Sequence, residues 1–180
     1  MTQESLRDED LIAPDLVLLL LAAPGRTEDT RDRVNGITRL EKLLFLAEQE
    51  KDVGRDVKNA FKFKAYDYGP YSKAVYDAVE LLTEAGLINQ ERAYAGQPLD
   101  EMEEWTAGVE QREGLERRFT LTDRGRAIAN LLSSQHKEVT EALSEVKKTY
   151  GDRPLRQLLR YVYSTYPRYA EASKIRNQVL

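Results

Sequence analysis

The chain has no cysteine, one histidine, one tryptophan and two methionines among its 180 residues. Without cysteine there is no disulfide and no thiolate metal site, and a reducing compartment is allowed. The single histidine, His136, sits among polar neighbours in a helical stretch and reads as a surface residue. No HExxH, Walker A or GxGxxG pattern occurs, so the usual zinc-hydrolase, nucleotide-phosphate and dinucleotide signatures are missing. The Glu103-Glu104 pair falls in a loop-like segment, where nothing excludes water or raises a carboxyl pKa. These absences point to a protein that is not an enzyme and uses no cofactor and no metal. The longest apolar run, Leu16 to Ala23, is far below the ~20 residues that cross a bilayer. Glu4, Asp8, Glu9 and Asp10 stand where a leader peptide needs basic residues. No membrane contact is expected, and the expected location is cytoplasmic.

Charge is present in quantity and unevenly placed. The net charge is −4, from 27 basic and 31 acidic residues. Residues 94–116 carry 1 base against 7 acids, while residues 117–180 carry 13 bases against 6 acids. Local bias of this size can draw a polyanion to one face, although a solvated helix surface has the same composition.

The stretch from Phe61 to Ile88 organises the reading. Phe61, Phe63 and Ala65 alternate with Lys62, Lys64 and Tyr66, the period of a half-buried strand. Gly69-Pro70 is read as a break, and Ser72 as the hydroxyl cap of a helix. Val75, Ala78, Val79, Leu82 and Ala85 give that helix an apolar stripe, and Gly86 ends it before a strand beginning at Leu87.

Before this stretch, Pro14-Asp15 opens a short buried helix through Ala23, and residues 26–35 read as a loop. Residues 37–50 read as a central helix buried on two sides, with Thr38, Arg39 and Lys42 on its polar side. After it, residues 87–94 and 117–121 are expected to pair across a long acidic loop, 95–116, forming a wing. Thr122 caps one long helix through Lys148. Pro154 opens a further helix, and Tyr161, Tyr163, Tyr166 and Tyr169 are expected to lock it onto the body. The expected fold is mainly α with a small antiparallel β-wing. A winged helix-turn-helix domain would cover residues 1–132, and a helical extension, 133–180, would pack on it or on a partner subunit.

The fragments GITRLEKLLFL (36–46), YDYGPYS (66–72) with its helix and AGLI, FTLTDRGRAIA (119–129) and LLRYVYSTYPRY (158–169) together resemble the YwgA-type group of uncharacterised winged-helix proteins. More distantly, the YGP-plus-helix core is similar to the Panacea antitoxin domain, whose members act by protein contact. The resemblance implies a winged-helix fold. It does not choose between a regulator and an interaction module, because both use that fold.

Two functions are therefore carried forward. The first is a DNA-binding transcriptional regulator with helix 72–85 in the major groove and the wing on the backbone. Phosphate contacts would come from Arg39, Lys42, Lys62, Lys64, Lys73, Arg92, Arg117, Arg118 and Arg124. Against it, Asp77, Glu80 and Glu84 share the outer side of that helix. The alternative is a protein–protein interaction module that docks a basic partner, with Trp105 and Tyr76 as partner contacts. Pairing of two chains through the 123–148 helix or the C-terminal helix is expected under the DNA reading.

Overall fold

A computed structural model describes residues 11–27, 30–51, 53, 58–94 and 115–180. In chain order the elements are α1 (Ala13–Ala22), β1 (Arg33–Asn35), α2 (Ile37–Glu50), α3 (Lys58–Phe61), β2 (Lys64–Tyr66) and β3 (Gly69–Tyr71). They continue with α4 (Lys73–Glu84), β4 (Ile88–Tyr94), β5 (Leu115–Leu121), α5 (Asp123–Gln135) and α6 (Lys137–Tyr150). Last come α7 (Leu155–Thr165), α8 (Pro167–Ala170) and α9 (Arg176–Val179). The architecture is mainly helical, with one small antiparallel sheet in the order β1-β5-β4 and a separate β2-β3 hairpin. Among the described residues no helix is long and apolar enough to cross a membrane.

α1 runs through the centre. Leu16 to Leu21 are all buried, as an all-apolar helix surface requires, and α4, α5 and α6 pack around it. α2 is the second core helix, buried continuously from Leu40 to Ala47. Its Phe45 meets Phe63, Tyr166 and Tyr169 edge-on, with ring centroids 5.2, 5.1 and 4.8 Å away, the offset geometry aromatic quadrupoles favour. One hydrophobic core joins the two halves of the chain, from Leu11 to Val179.

Several expectations change. Residues 33–35 are not loop: they form the third strand, with Val34 opposite Phe119. The alternation from Phe61 does not mark a strand start. Phe61 closes the turn of α3, Lys62 follows at φ 49°, and pairing begins at Lys64. Gly69-Pro70 does not break the chain. These residues are the second hairpin strand, with Pro70 opposite Ala65.

The helix expected from Thr122 to Lys148 is two helices. Thr122 caps the first as expected, accepting the Gly125 amide at 3.1 Å. His136 interrupts at φ −122°, ψ 61° and is buried, not on the surface. Its carbonyl accepts both the amide and the hydroxyl of Thr140. The bend frees α6 to lie against α1 and α2.

The helical extension is fixed by polar contacts with α2. Glu50 accepts the phenols of Tyr161 at 2.6 Å and Tyr150 at 2.8 Å. Arg153 lies over the Tyr150 ring, 4.6 Å from its centroid.

Candidate functional site at helix α4

α4 presents its outer side from a rigid seat. Val75, Ala78, Val79 and Leu82 bury its inner stripe. Its C-terminus closes with Leu87 N to Leu82 O at 2.9 Å and Gly86 N to Thr83 O at 3.0 Å. Gly86 stands at φ 68°, the left-handed residue this motif needs.

The N-terminus is capped from another helix. Ser72 is the N-cap, but its hydroxyl donates to the Phe61 carbonyl oxygen and not to α4. The Glu41 carboxylate of α2 accepts the Ser72 amide at 2.9 Å. Its second oxygen meets the Lys42 ammonium at 2.7 Å, and Lys42 also donates to the Pro70 carbonyl oxygen at 2.8 Å. Both charged side chains are buried, and each is paired and hydrogen-bonded, as buried charges must be.

This network corrects the expected polar side of α2. Lys42 is 1% exposed, so its ammonium has no path to a phosphate. Thr38 is buried as well. Arg39 is half-buried and turned inward, donating to the carbonyl oxygens of Asn35, Gly151 and Arg153. Arg39 and Lys42 are therefore structural bolts in this fold, not phosphate contacts.

The other named residues lie closer to α4. Lys73 is exposed and donates to both oxygens of Asp77, at 2.6 and 2.7 Å, a contact that raises its pKa. Lys62 and Lys64 are exposed. The Lys64 ammonium lies over the Tyr66 and Tyr71 rings, at 5.8 and 5.7 Å. Tyr66, Tyr71 and Tyr76 form a ladder with centroid spacings of 5.0 and 5.4 Å. Tyr76 is half-buried, and burial, then the Glu41 charge, pushes its phenol pKa up. Arg117 is half-buried and donates to Gln90 at 2.6 Å, and Gln90 donates to Thr83 of α4 at 2.7 Å. Arg118 is half-buried on β5, opposite Glu91 and Asn35. Arg92 and Arg124 are exposed. Trp105 and residues 95–114, most of the loop expected to tip a wing, lie outside the described residues.

The outer side of α4 consequently offers Asp77, Glu80, Leu81 and Glu84, all exposed, with Lys73 neutralised by Asp77. Sequence reasoning missed Glu41 and Gln90, the residues that set how α4 sits. The signal for Glu41 was an Glu-Lys pair set between Leu40 and Leu43-Leu44 in an otherwise apolar run. Among the described residues no group of three or more His, Cys, Asp or Glu is placed to hold a metal ion. No family model, no curated protein and no solved structure matches the chain.

Proposed function

We propose that this chain is a protein-interaction module that presents α4 to a basic partner. The observation that carries the reading is the outer face of α4: three exposed carboxylates, an exposed leucine, and one cation already engaged by Asp77. Carboxylates at that spacing repel phosphates, whereas a partner rich in lysine or arginine is attracted to them. Leu81, 54% exposed in the middle of the acidic face, supplies an apolar anchor of the kind interfaces bury. We read the elements α1, β1, α2, α4, β4 and β5, with sheet order β1-β5-β4, as a winged helix of the YwgA-like type. On that reading α4 is the helix a DNA-binding relative would place in the groove.

The DNA-binding regulator is the second reading. Arg92 on β4 and Arg124 in the first turn of α5, both exposed, favour it, because cations with reach can contact a phosphate backbone.

A titration of random-sequence duplex at ~50 mM salt separates the two. Wild-type protein is expected not to associate, and the variant carrying Asp77→Lys, Glu80→Lys and Glu84→Lys is expected to gain affinity. Association by the wild type that weakens steeply with added salt would transfer the assignment to the regulator.

A further inference from the structure

The β2-β3 hairpin is a sheet of its own, outside the elements read above as a winged helix. Its inner face is bolted to the body. Gly69 and Pro70 are buried, and a Cβ at Gly69 would stand 2.6 Å from the Tyr163 ring. The Pro70 carbonyl oxygen accepts from the Lys42 ammonium. At the turn, the Asp67 carbonyl oxygen accepts the Lys174 amide at 2.9 Å, and the Asp67 carboxylate accepts the Lys174 ammonium at 2.6 Å.

The outer face carries a different chemistry. Lys64 stands directly opposite Tyr71, and Tyr66, two residues on, shares that side of the strand. The Lys64 ammonium lies over both rings. From Tyr76 on α4 the stack runs through Tyr71 to Tyr66, with successive planes tilted by 40° and 38°. Tyr66 ends it and is 49% exposed, the one aromatic ring among the exposed large hydrophobic residues described. Lys62 and Lys64, in the same segment, are exposed as well. The nearest carboxylates are engaged, Asp67 by Lys174 and Asp77 by Lys73. Glu80 follows Tyr76 by one helical turn, at the other end of the stack.

An occupant of this face must bring a flat ring to the open side of Tyr66 and negative charge to the lysines. A partner's cation does not suit it, because Lys64 already takes that place. Aspartate and glutamate bring charge without a ring, and a duplex keeps its rings paired inside. A single strand of nucleic acid offers a ring and a phosphate in every residue. We propose that the outer face of the β2-β3 hairpin is a stacking platform for single-stranded nucleic acid. A base extends the tyrosine stack on Tyr66, and Lys64, with Lys62, holds the adjoining phosphates. The strand leaves on the side away from the carboxylates of α4, so this inference is independent of what α4 binds.

Fluorescence anisotropy of a labelled oligodeoxyadenylate of about 12 nucleotides, at ~50 mM salt, tests it. Wild-type protein should bind the single strand, and bind it more tightly than a duplex of the same length. Tyr66→Ala should weaken binding roughly 10-fold, the order of one lost base–ring stack, whereas Tyr66→Phe, which keeps the ring, should preserve it. Lys64→Ala should reduce the slope of log affinity against log salt by about 0.7, one phosphate contact of a single strand. Both side chains are exposed, so neither change disturbs the core. Absence of binding by the wild type overturns the proposal. So does binding that survives Tyr66→Ala, an equal loss in Tyr66→Phe, or an unchanged slope in Lys64→Ala. Polyglutamate that displaces the oligonucleotide at matched charge would overturn it too, since the face would then select negative charge alone.

Discussion

The Lys147 ammonium on α6 lies 2.8 Å from the carbonyl oxygen of Leu21 and 2.9 Å from that of Ala23, where α1 ends. The last carbonyls of a helix have no partner within it, and here a buried lysine from the far end of the chain supplies the donors.

Burial pushes the Lys147 pKa from its usual 10.5 down to about 7, with Asp32 and Asp152 acting in the opposite direction. Between pH 7 and 10.5 the unfolded chain holds this proton while the folded chain has released it. Stability should therefore rise with pH across that window, by up to about 1.4 kcal/mol per pH unit. Below pH 7 both states are protonated, so this group adds no slope. Denaturant midpoints measured at several pH values should show the rise in wild type and lose it in Lys147→Met. Parallel profiles for the two proteins would refute the assignment.

Glu41 is expected to be the most damaging single truncation in the seat of α4. Glu41→Ala leaves the Lys42 ammonium buried without its counter-charge and the Ser72 amide without its acceptor. Breaking a buried pair on one side costs about 3–5 kcal/mol. Adding Lys42→Met removes the stranded charge, so the double variant should recover part of that loss. Urea unfolding of both variants checks this, and a double variant less stable than Glu41→Ala alone would contradict it.

What was legible in the sequence follows from how each signal arises. The apolar stripes of α1, α2 and α4 were readable because burial on one helix face repeats at three and four residues. The Thr122 cap and the Gly86 terminus were readable because one local bond or one backbone angle decides each. β1 was not readable: three residues, Arg33 to Asn35, are strand only because β5 pairs with them. The inward turn of Lys42 and Arg39 depends on acceptors at Pro70, Gly151 and Arg153, far along the chain. The burial of His136 likewise depends on a bend that packing against α1 and α2 rewards. The acidic outer face of α4 was legible, since its residues are charged and alternate with the buried stripe.

Gly125 and Gly36 should respond differently to alanine. A Cβ at Gly125 would stand 1.9 Å from the Leu87 carbonyl oxygen, which belongs to a backbone held by the turn into β4. A Cβ at Gly36 meets nothing within 4 Å, and only its backbone, at φ 87° and ψ 132°, is unfavourable. Gly36→Ala should cost about 1–3 kcal/mol, the order of a side chain held in a sparsely populated backbone region. Gly125→Ala should cost more, at or beyond the roughly 1–3 kcal/mol of an overpacked site. Thermal unfolding of the two variants gives the ranking, and the reverse order would mean that the Leu87 turn yields freely.

The carboxylate of Glu50 occupies the C-terminal end of α2, where the helix dipole disfavours negative charge. Phenols compensate: Tyr161 donates at 2.6 Å and Tyr150 at 2.8 Å. Tyr166 interacts with the same group, which contributes, after burial, to raising its pKa to about 12. Tyr150→Phe and Tyr161→Phe remove the hydroxyls and keep the rings on which Arg153 stacks. Each single change should cost about 1–2 kcal/mol, because the remaining donors still hold the carboxylate. Removing both leaves a partly buried charge short of donors, so the double variant should lose more than the sum, by at least about 0.5 kcal/mol. Equilibrium unfolding of the four proteins in the cycle measures that excess. Strict additivity would show that the two phenols do not share one acceptor in solution.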